Sequence, residues 1–175
     1  MATQVGFLRA VNVGRRTVAM ARLKAVCEGL GHTDVWTYIN SGNVVFSATG
    51  ARAALESALE RTLEAEFGFE CTTFVRSAAE LGAVLAVRPF DVAAHDTYFV
   101  TFLKDPPSAA VARSLAEASN DFDTLVVDGR EVHWRMHGKS TDTKLKPAVW
   151  KQLGEHASTS RNVTMLTKLV AKIDG

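Results

Sequence analysis

The sequence has few of the features that mark secreted, membrane-bound or metal-clustered proteins. It contains two cysteines and four prolines in 175 residues, and no apolar run approaches the roughly 20 residues that a membrane-spanning helix needs. The first residues lack the basic segment, apolar core and cleavage site of a secretory signal. Cys27 and Cys71 are therefore expected to be reduced, packed thiols in a cytoplasmic protein. Two cysteines so far apart in sequence also cannot form a structural zinc site unaided.

Positive and negative charges nearly balance over the whole chain, whose net charge is +1, but the two ends of the chain differ in charge. Residues 1–129 carry 11 Lys and Arg against 15 Asp and Glu, whereas residues 130–175 carry 9 against 4. The composition is 47% hydrophobic and 22% charged, which is typical of a globular protein of one ordinary or two small domains. The basic end indicates either an anion-binding surface or surface charge that has no function.

Hydrophobic periodicity predicts the order β-α-β-β-α-β for the first half of the chain. The clearest element is a helix over 51–67. A leucine or phenylalanine recurs at every fourth position from Leu55 to Phe67, and Gly68 follows as a stop signal. The other predicted elements are a helix over 19–30 and strands over 5–11, 35–39, 43–47 and 69–76.

After a connector, the second half predicts a similar order. Ser77-Ala78-Ala79-Glu80 is a capping-box pattern that opens a short helix over 77–87. Asp128-Gly129 is a strong hairpin signal between two strands. The predicted elements are strands over 97–103, 124–127 and 131–136, and helices over 108–119, 142–153 and 162–173.

Together these orders predict an α+β fold with two ferredoxin-like (βαββαβ-type) subdomains in tandem, the second with its last strand replaced by a C-terminal helix. The expected divisions are a first subdomain over 1–76, a connector helix and loop over 77–95, and a second subdomain over 96–175, all packed as one compact unit. The duplication is one of topology, because the two halves share little residue identity.

The β-α-β-β-α-β order places the loop after the first strand beside the turn between the second and third strands. In this chain they are residues 12–17 and 40–43. Amide and hydroxyl side chains near glycine and a helix N-terminus suit an anion or a polar small molecule. They are also the residues that turns require, so a purely structural role stays open. The residues gathered at this end are Asn12, Gly14, Arg15, Arg16, Asn40, Ser41 and Asn43.

Three segments of the chain resemble one known family. Residues 7–14 read FLRAVNVG, residues 38–46 read YINSGNVVF, and Arg161, Asn162 and Lys168 belong to a later helical pattern. They resemble the LRGINVGG-like, YIxSGNVxF-like and RNWxTVxKL-like signatures of the bacterial family known as domain of unknown function 1697. The resemblance spans nearly the whole chain. It implies a tandem ferredoxin-like α+β protein and brings no established activity.

The chain departs from these signatures at four positions. Ala10 and Arg15 stand where the family usually has glycines, Asn40 replaces a glutamine or other polar residue, and Val163 stands where tryptophan is usual. If the glycines let the backbone approach a ligand closely, Ala10 and Arg15 restrict that approach. Arg15 could instead supply charge to the site.

Most familiar catalytic patterns are missing from the polar segments. Residues 12–17 lack the spacing of a phosphate loop, and Gly138-Lys139-Ser140 lacks the glycine-rich front of one. Ser41 has no histidine near it in sequence and lies outside a GxSxG elbow. Ser160-Arg161-Asn162 at a predicted helix start could hold an anion or could only cap the helix.

Two further patterns predict exposed polar faces. Residues 131–137 alternate between apolar and polar side chains, so Trp134 is expected to point inward and His133 outward, on a solvent-facing or interface strand. A nucleic-acid-binding sheet face is the alternative. His133 and His137 lie about 13 Å apart on an extended strand, too far to chelate one metal. The carboxylates of the 51–67 helix recur at four-residue steps and predict a solvated face, formed by Glu56, Glu60 and Glu64.

The sequence therefore predicts a cytoplasmic protein that binds a polar or anionic ligand, a phosphorylated small molecule or nucleic acid, near Asn12 and Ser41. The alternatives are an enzyme acting on a phosphorylated or acyl substrate at that end, and a protein-interaction module. Nucleic acid is the less favoured partner. No catalytic residue, metal, cofactor or membrane partner is predicted, and the oligomeric state stays open. The candidate ligand-binding residues are Arg9, Asn12, Gly14, Arg15, Ser41, Asn43, Arg161, Asn162 and Lys168.

Overall fold

The computed structural model describes residues 1–175 and contains two compact units, Met1–Gly82 and Ala83–Gly175. The fold is mixed α+β, with one four-stranded antiparallel sheet in each unit and six α-helices along the chain. No helix combines the length and the apolar character that crossing a membrane requires.

In the sheet of the first unit, the first strand lies in the interior between the third and fourth strands, and the second strand lies at the edge beside the third. Leucines of the second helix pack on the core, as the four-residue spacing predicts. Gly68 ends that helix in the left-handed conformation. The elements are β1 (Ala2–Leu8), α1 (Met20–Gly29), β2 (Thr33–Thr37), β3 (Asn43–Ala48), α2 (Arg52–Phe67) and β4 (Thr73–Ser77).

The prediction of a solvated glutamate face on α2 is wrong for two of its three residues. Glu56 is buried, and its Oε1 accepts a hydrogen bond from the Val75 backbone N–H at 2.9 Å. Glu60 Oε1 accepts one from the Thr73 N–H, also at 2.9 Å. β4 is an edge strand whose outward N–H groups would otherwise be unpaired, so α2 covers this edge with its carboxylates. Glu64 is exposed, as expected.

Helix α3 (Ala78–Val87) follows β4 directly. The predicted capping box is confirmed, because the Glu80 N–H donates to Ser77 Oγ at 3.1 Å and the Ser77 N–H donates to Glu80 Oε2 at 2.7 Å. Two otherwise unsatisfied backbone donors are thereby paired at the start of the helix.

The sheet of the second unit has the same arrangement, with its first strand between its third and fourth strands and its second strand at the edge beside the third. Its core is formed by apolar side chains that include Leu115, Val132, Trp134 and Met136. Trp134 points into this core, as the alternation predicts. The elements are β5 (Thr97–Leu103), α4 (Ala109–Glu117), β6 (Asp123–Asp128), β7 (Glu131–Met136), a 3₁₀ turn (Ser140–Asp142), α5 (Pro147–Lys151), β8 (Ser158–Asn162) and α6 (Val163–Asp174).

Two element predictions are wrong in this unit. The C-terminal helix α6 is present, but it follows strand β8 and does not replace it. The segment of β8 is polar and carries no apolar alternation, so hydrophobic periodicity gives no signal there. The helix predicted over 142–153 is reduced to α5, because Pro147 occupies its first position and cannot be accommodated further inside a helix.

The predicted solvent-facing side of β7 is also wrong in part. His133 is fully buried and Glu131 is buried at the strand start, so both faces of β7 are covered at these positions. Alternation separates the two faces of a strand, but it does not reveal whether the polar face is covered by further structure.

Candidate functional site

In the first unit, the loop after β1 contacts the turn between β2 and β3, as the topological argument predicts. The Leu8 N–H donates to Gly42 O at 2.8 Å, and Asn12 Nδ2 donates to Asn40 O at 2.7 Å. Asn12 Oδ1 in turn accepts from the Val18 N–H at 2.9 Å. The Asn12 side chain therefore joins the loop to the turn.

The side-chain amide of Asn43 likewise forms hydrogen bonds within the turn. Asn43 is fully buried, and its Nδ2 donates to Tyr38 O and to Ser41 Oγ, both at 2.9 Å. Two of the predicted ligand-binding amides, Asn12 and Asn43, thus bond to the protein's own backbone. This is the structural role that the sequence left open for turn residues.

Close packing explains the glycine in this turn. Gly42 has φ +78°, and a Cβ there would lie 2.4 Å from Val11 Cγ2 and 3.0 Å from Leu8 Cβ. Gly14 also has positive φ but has open space around it, and it lies with Arg15 on the exposed part of the loop. Arg9 is half-buried and its N–H donates to Thr72 O at 2.9 Å.

The remaining predicted residues belong to the second unit. Arg161 lies on β8 and is buried, and its Nη1 donates to Thr159 Oγ1 at 2.8 Å and to Ser160 O at 3.0 Å. Burial lowers the pKa of the Arg161 guanidinium to about 10. Asn162 caps α6, because its Oδ1 accepts from the Thr164 N–H at 2.8 Å. Lys168 is exposed on α6.

The second unit also contains a cavity of about 530 Å³, within the range of small-molecule sites. The end of α3 and the following loop, the start of β5, and the first turns of α6 form its walls. Of the predicted candidates only Asn162 lies in it. The lining residues are Leu85, Arg88, Phe90, Asp91, Val92, Asp96, Thr97, Tyr98, Asn162, Val163, Thr164 and Thr167.

A Tyr–His pair holds one wall of this cavity. The Tyr98 hydroxyl lies 2.5 Å from His133 Nδ1. Burial raises the pKa of Tyr98 to about 12, against the opposing charge of Arg88, and burial lowers the pKa of His133. Both directions favour a protonated Tyr98 hydroxyl that donates to a neutral His133 Nδ1; in this tautomer the His133 proton lies on Nε2.

Further contacts hold the Phe90 ring beside Tyr98. Phe90 packs edge-on against Tyr98 with 4.9 Å between ring centroids, and the Arg135 guanidinium lies 5.2 Å from the Phe90 ring centroid. Arg135 also donates to Asp91 O at 2.9 Å and to Thr124 Oγ1 at 3.1 Å. These contacts connect the loop after α3 to the sheet and hold this wall of the cavity in place.

The sequence does not predict this cavity, because residues 77–95 have the pattern of a connector between two subdomains. The available signals were Arg88-Pro89-Phe90, a cation and an aromatic ring on either side of a proline, and the small Val163 at the start of α6. Neither signal specifies a cavity unless the three segments are already known to meet.

The comparisons with other proteins concern the fold and the family. The conserved bacterial protein SP0830 from Streptococcus pneumoniae has a similar solved structure, with a TM-score of 0.76 and 20% sequence identity over 100% of this chain and 99% of that one. At this identity the similarity shows the fold alone. No curated protein matches the chain. The family model described as "Protein of unknown function (DUF1697)" matches residues 1–133, and the chain therefore belongs to this family.

Proposed function

We propose that the second unit, Ala83–Gly175, binds a small molecule with an apolar body and a single anionic group. The observation that carries this proposal is the 530 Å³ cavity, whose walls combine apolar side chains with a few polar groups. Leu85, Phe90, Val92 and Val163 supply the apolar surface. Tyr98 adds its ring, because its hydroxyl is already paired with His133 Nδ1.

The anionic group would lie between Arg88 and the start of α6. Arg88 supplies a positive charge, and the first turn of α6 has backbone N–H groups without intrahelical partners, of which that of Thr164 is already paired with the Asn162 cap. Thr164 supplies a hydroxyl on the same wall, whereas the Thr167 hydroxyl donates to Val163 O at 2.8 Å. Asp91 and Asp96 in the lining oppose a multiply charged ligand, so a monocarboxylate suits the site better than a phosphate ester.

The test is a binding titration of the full chain with aromatic and aliphatic monocarboxylates, phosphate monoesters, nucleotides and a short oligonucleotide. We expect saturable binding of a monocarboxylate, abolished in Val163→Trp because the larger ring fills the cavity, and weakened at least about tenfold in Arg88→Ala because a charged partner is lost. Lys172→Trp is the matched control, since it puts the same ring on an exposed position of α6.

Failure of every compound to bind would contradict the proposal. So would binding of equal affinity to wild type and Val163→Trp. Binding of nucleotides or the oligonucleotide that is unchanged in Val163→Trp would instead favour a second candidate, a polar-ligand or nucleic-acid site at the loop end of the first unit.

Backbone strain supports that second candidate. Ala10, Asn12 and Ile39 have φ values of 51°, 55° and 50°, conformations that cost a non-glycine residue about 1–3 kcal/mol each. Val13 and Ile39 are large apolar side chains exposed beside them. The residues proposed for this site are Arg9, Asn12, Gly14, Arg15, Ser41 and Asn43.

The tandem ferredoxin-like description and the divisions at 1–76, 77–95 and 96–175 also stand as proposals. The equivalent strand orders of the two sheets support them. A matching hydrogen bond adds support: the last residue of the first strand donates to the hairpin turn in each unit, Leu8 N–H to Gly42 O at 2.8 Å and Leu103 N–H to Arg130 O at 2.9 Å. A cytoplasmic location is proposed as well, and the two buried free cysteines support it.

A further inference from the structure

Three potential metal ligands meet where β5 begins and β7 ends. The two strands are antiparallel, and Thr97 pairs with Met136, so the preceding Asp96 lies beside the following His137. His95 is the neighbour of Asp96 in the chain. The ligand atoms of these three side chains all lie within 4.8 Å of one another.

Two of their three separations are those of ligands that share a metal ion, and the third is within 4.8 Å. Asp96 Oδ1 lies 3.1 Å from His137 Nδ1 and 3.4 Å from His95 Nε2. Ligands bound tetrahedrally at about 2.0–2.1 Å from a zinc ion are about 3.3 Å apart. An ion could therefore bind the three atoms with small side-chain adjustments.

The carboxylate at the centre of the cluster is held in place by the backbone. Asp96 Oδ2 accepts a hydrogen bond from the Ala93 N–H at 2.8 Å, which leaves Oδ1 facing the two imidazoles. Thr97 Oγ1 donates to Gly138 O at 2.6 Å and fixes the two strand ends to each other. Such outer contacts orient ligands and raise metal affinity.

The solvent exposure of the three side chains and the chemistry of their donor atoms indicate which class of ion the site would bind. The Asp96 side chain is only 2% exposed, whereas those of His95 and His137 are 73% and 42% exposed, so an ion can reach the imidazoles from solvent. Two imidazole nitrogens and one carboxylate oxygen suit zinc, nickel, cobalt or ferrous iron, but not calcium or magnesium, which prefer oxygen ligands.

We propose that His95, Asp96 and His137 form a three-ligand site for a divalent transition-metal ion, with at least one coordination position open to solvent. Three protein ligands leave such a position in a four-coordinate ion. Asp96 also lines the cavity, so the ion would lie at the cavity rim and could contact a bound carboxylate. Only this last contact rests on the proposed function.

The test is calorimetric titration of the untagged full chain with zinc chloride alone. We expect one zinc ion per chain and an affinity at least about tenfold lower in His95→Ala and in His137→Ala. Calcium and magnesium should not compete. Imidazole resonances of His95 and His137 should shift together on zinc addition, which a purely structural ion-pair network would not cause.

His156→Ala is the matched control, because His156 Nε2 lies 3.6 Å from Glu155 Oε1 in a histidine–carboxylate pair outside the three-ligand group. Its zinc affinity should equal that of wild type. Absence of saturable binding, or binding that survives both ligand substitutions, would overturn the proposal. Val163→Trp should keep zinc affinity, so failure of the cavity proposal and failure of the metal proposal give different results.

Discussion

At the scale of single residues, the turn between β2 and β3 depends on Gly42 and on two asparagines. Gly42 allows the loop after β1 to pack against the turn, and Asn12 and Asn43 bond to backbone carbonyls that would otherwise lack these partners. The family-like SGN sequence in this turn therefore has a structural explanation that is independent of any ligand.

Replacing Gly42 should be far more damaging than replacing Gly14. Gly42→Ala adds a Cβ that overlaps Val11 and also forces a left-handed conformation, so we expect a loss of about 2–4 kcal/mol in the free energy of unfolding. Gly14→Ala meets no neighbour and should lose only about 1 kcal/mol. Urea denaturation measures both losses, and equal losses would contradict the packing explanation.

His133 should make folding stability depend on pH. Burial lowers its pKa in the folded protein, and the carboxylates of Asp128 and Glu131 oppose this only in part. Below the unfolded-state pKa of about 6.5, the unfolded chain binds a proton that the folded protein does not, so stability falls as the pH falls. His32, whose pKa is also lowered by burial, contributes with the same sign.

Denaturation midpoints between pH 7 and about pH 5 provide the measurement. His133→Gln keeps an acceptor for Tyr98 but does not titrate, so its midpoint should decline less steeply than that of wild type. An identical pH dependence in the two proteins would show that His133 is not the cause.

At the scale of elements, α2 contributes more than its leucine face. Glu56 accepts from the Val75 N–H and from Arg52 Nη1 at 2.9 Å, so the helix both packs on the sheet and closes the edge of β4. A four-residue periodicity identifies which side chains share a face. It cannot reveal that a neighbouring strand supplies hydrogen-bond donors to the polar side.

Glu56→Gln should therefore destabilise the protein by about 2 kcal/mol, because a buried charge-assisted pair is lost. The exposed Glu64→Gln, two turns further along the same helix, should change stability by less than about 0.5 kcal/mol. Hydrogen exchange of the Val75 amide should accelerate in Glu56→Gln alone. Unchanged protection of this amide would argue against the edge-closing role.

The sequence predicts an element correctly where the residues of that element carry a strong local pattern. The sequence predicts strands β5 and β7 with their observed ends, since apolar or β-branched residues fill the first and Asp128-Gly129 precedes the second. It does not predict β8, because the backbone of this strand pairs with β5 while its side chains are polar. The place of Asp96 beside His137 depends on strand register, which no single segment encodes.

At the scale of the whole molecule, the sequence established the family and the mixed α+β architecture, whereas the cavity emerged only from the structure. Its walls come from three segments, over 85–92, 96–98 and 162–167. Packing between segments that are far apart in the chain leaves no periodic pattern in the sequence. The candidate site consequently lies in the second unit and not at the loop end of the first, and Asn162 is the one residue of the cavity that the sequence also predicts to bind ligand.

The central claim is that ligand binds in this cavity. Amide chemical shifts of the full chain, followed by NMR during titration with the best-binding monocarboxylate, test it most directly. We predict saturable shifts concentrated at residues 85–92, 96–98 and 162–167, and no such shifts in Val163→Trp. Shifts concentrated instead at residues 9–16 and 38–43, or shifts that persist in Val163→Trp, would contradict it.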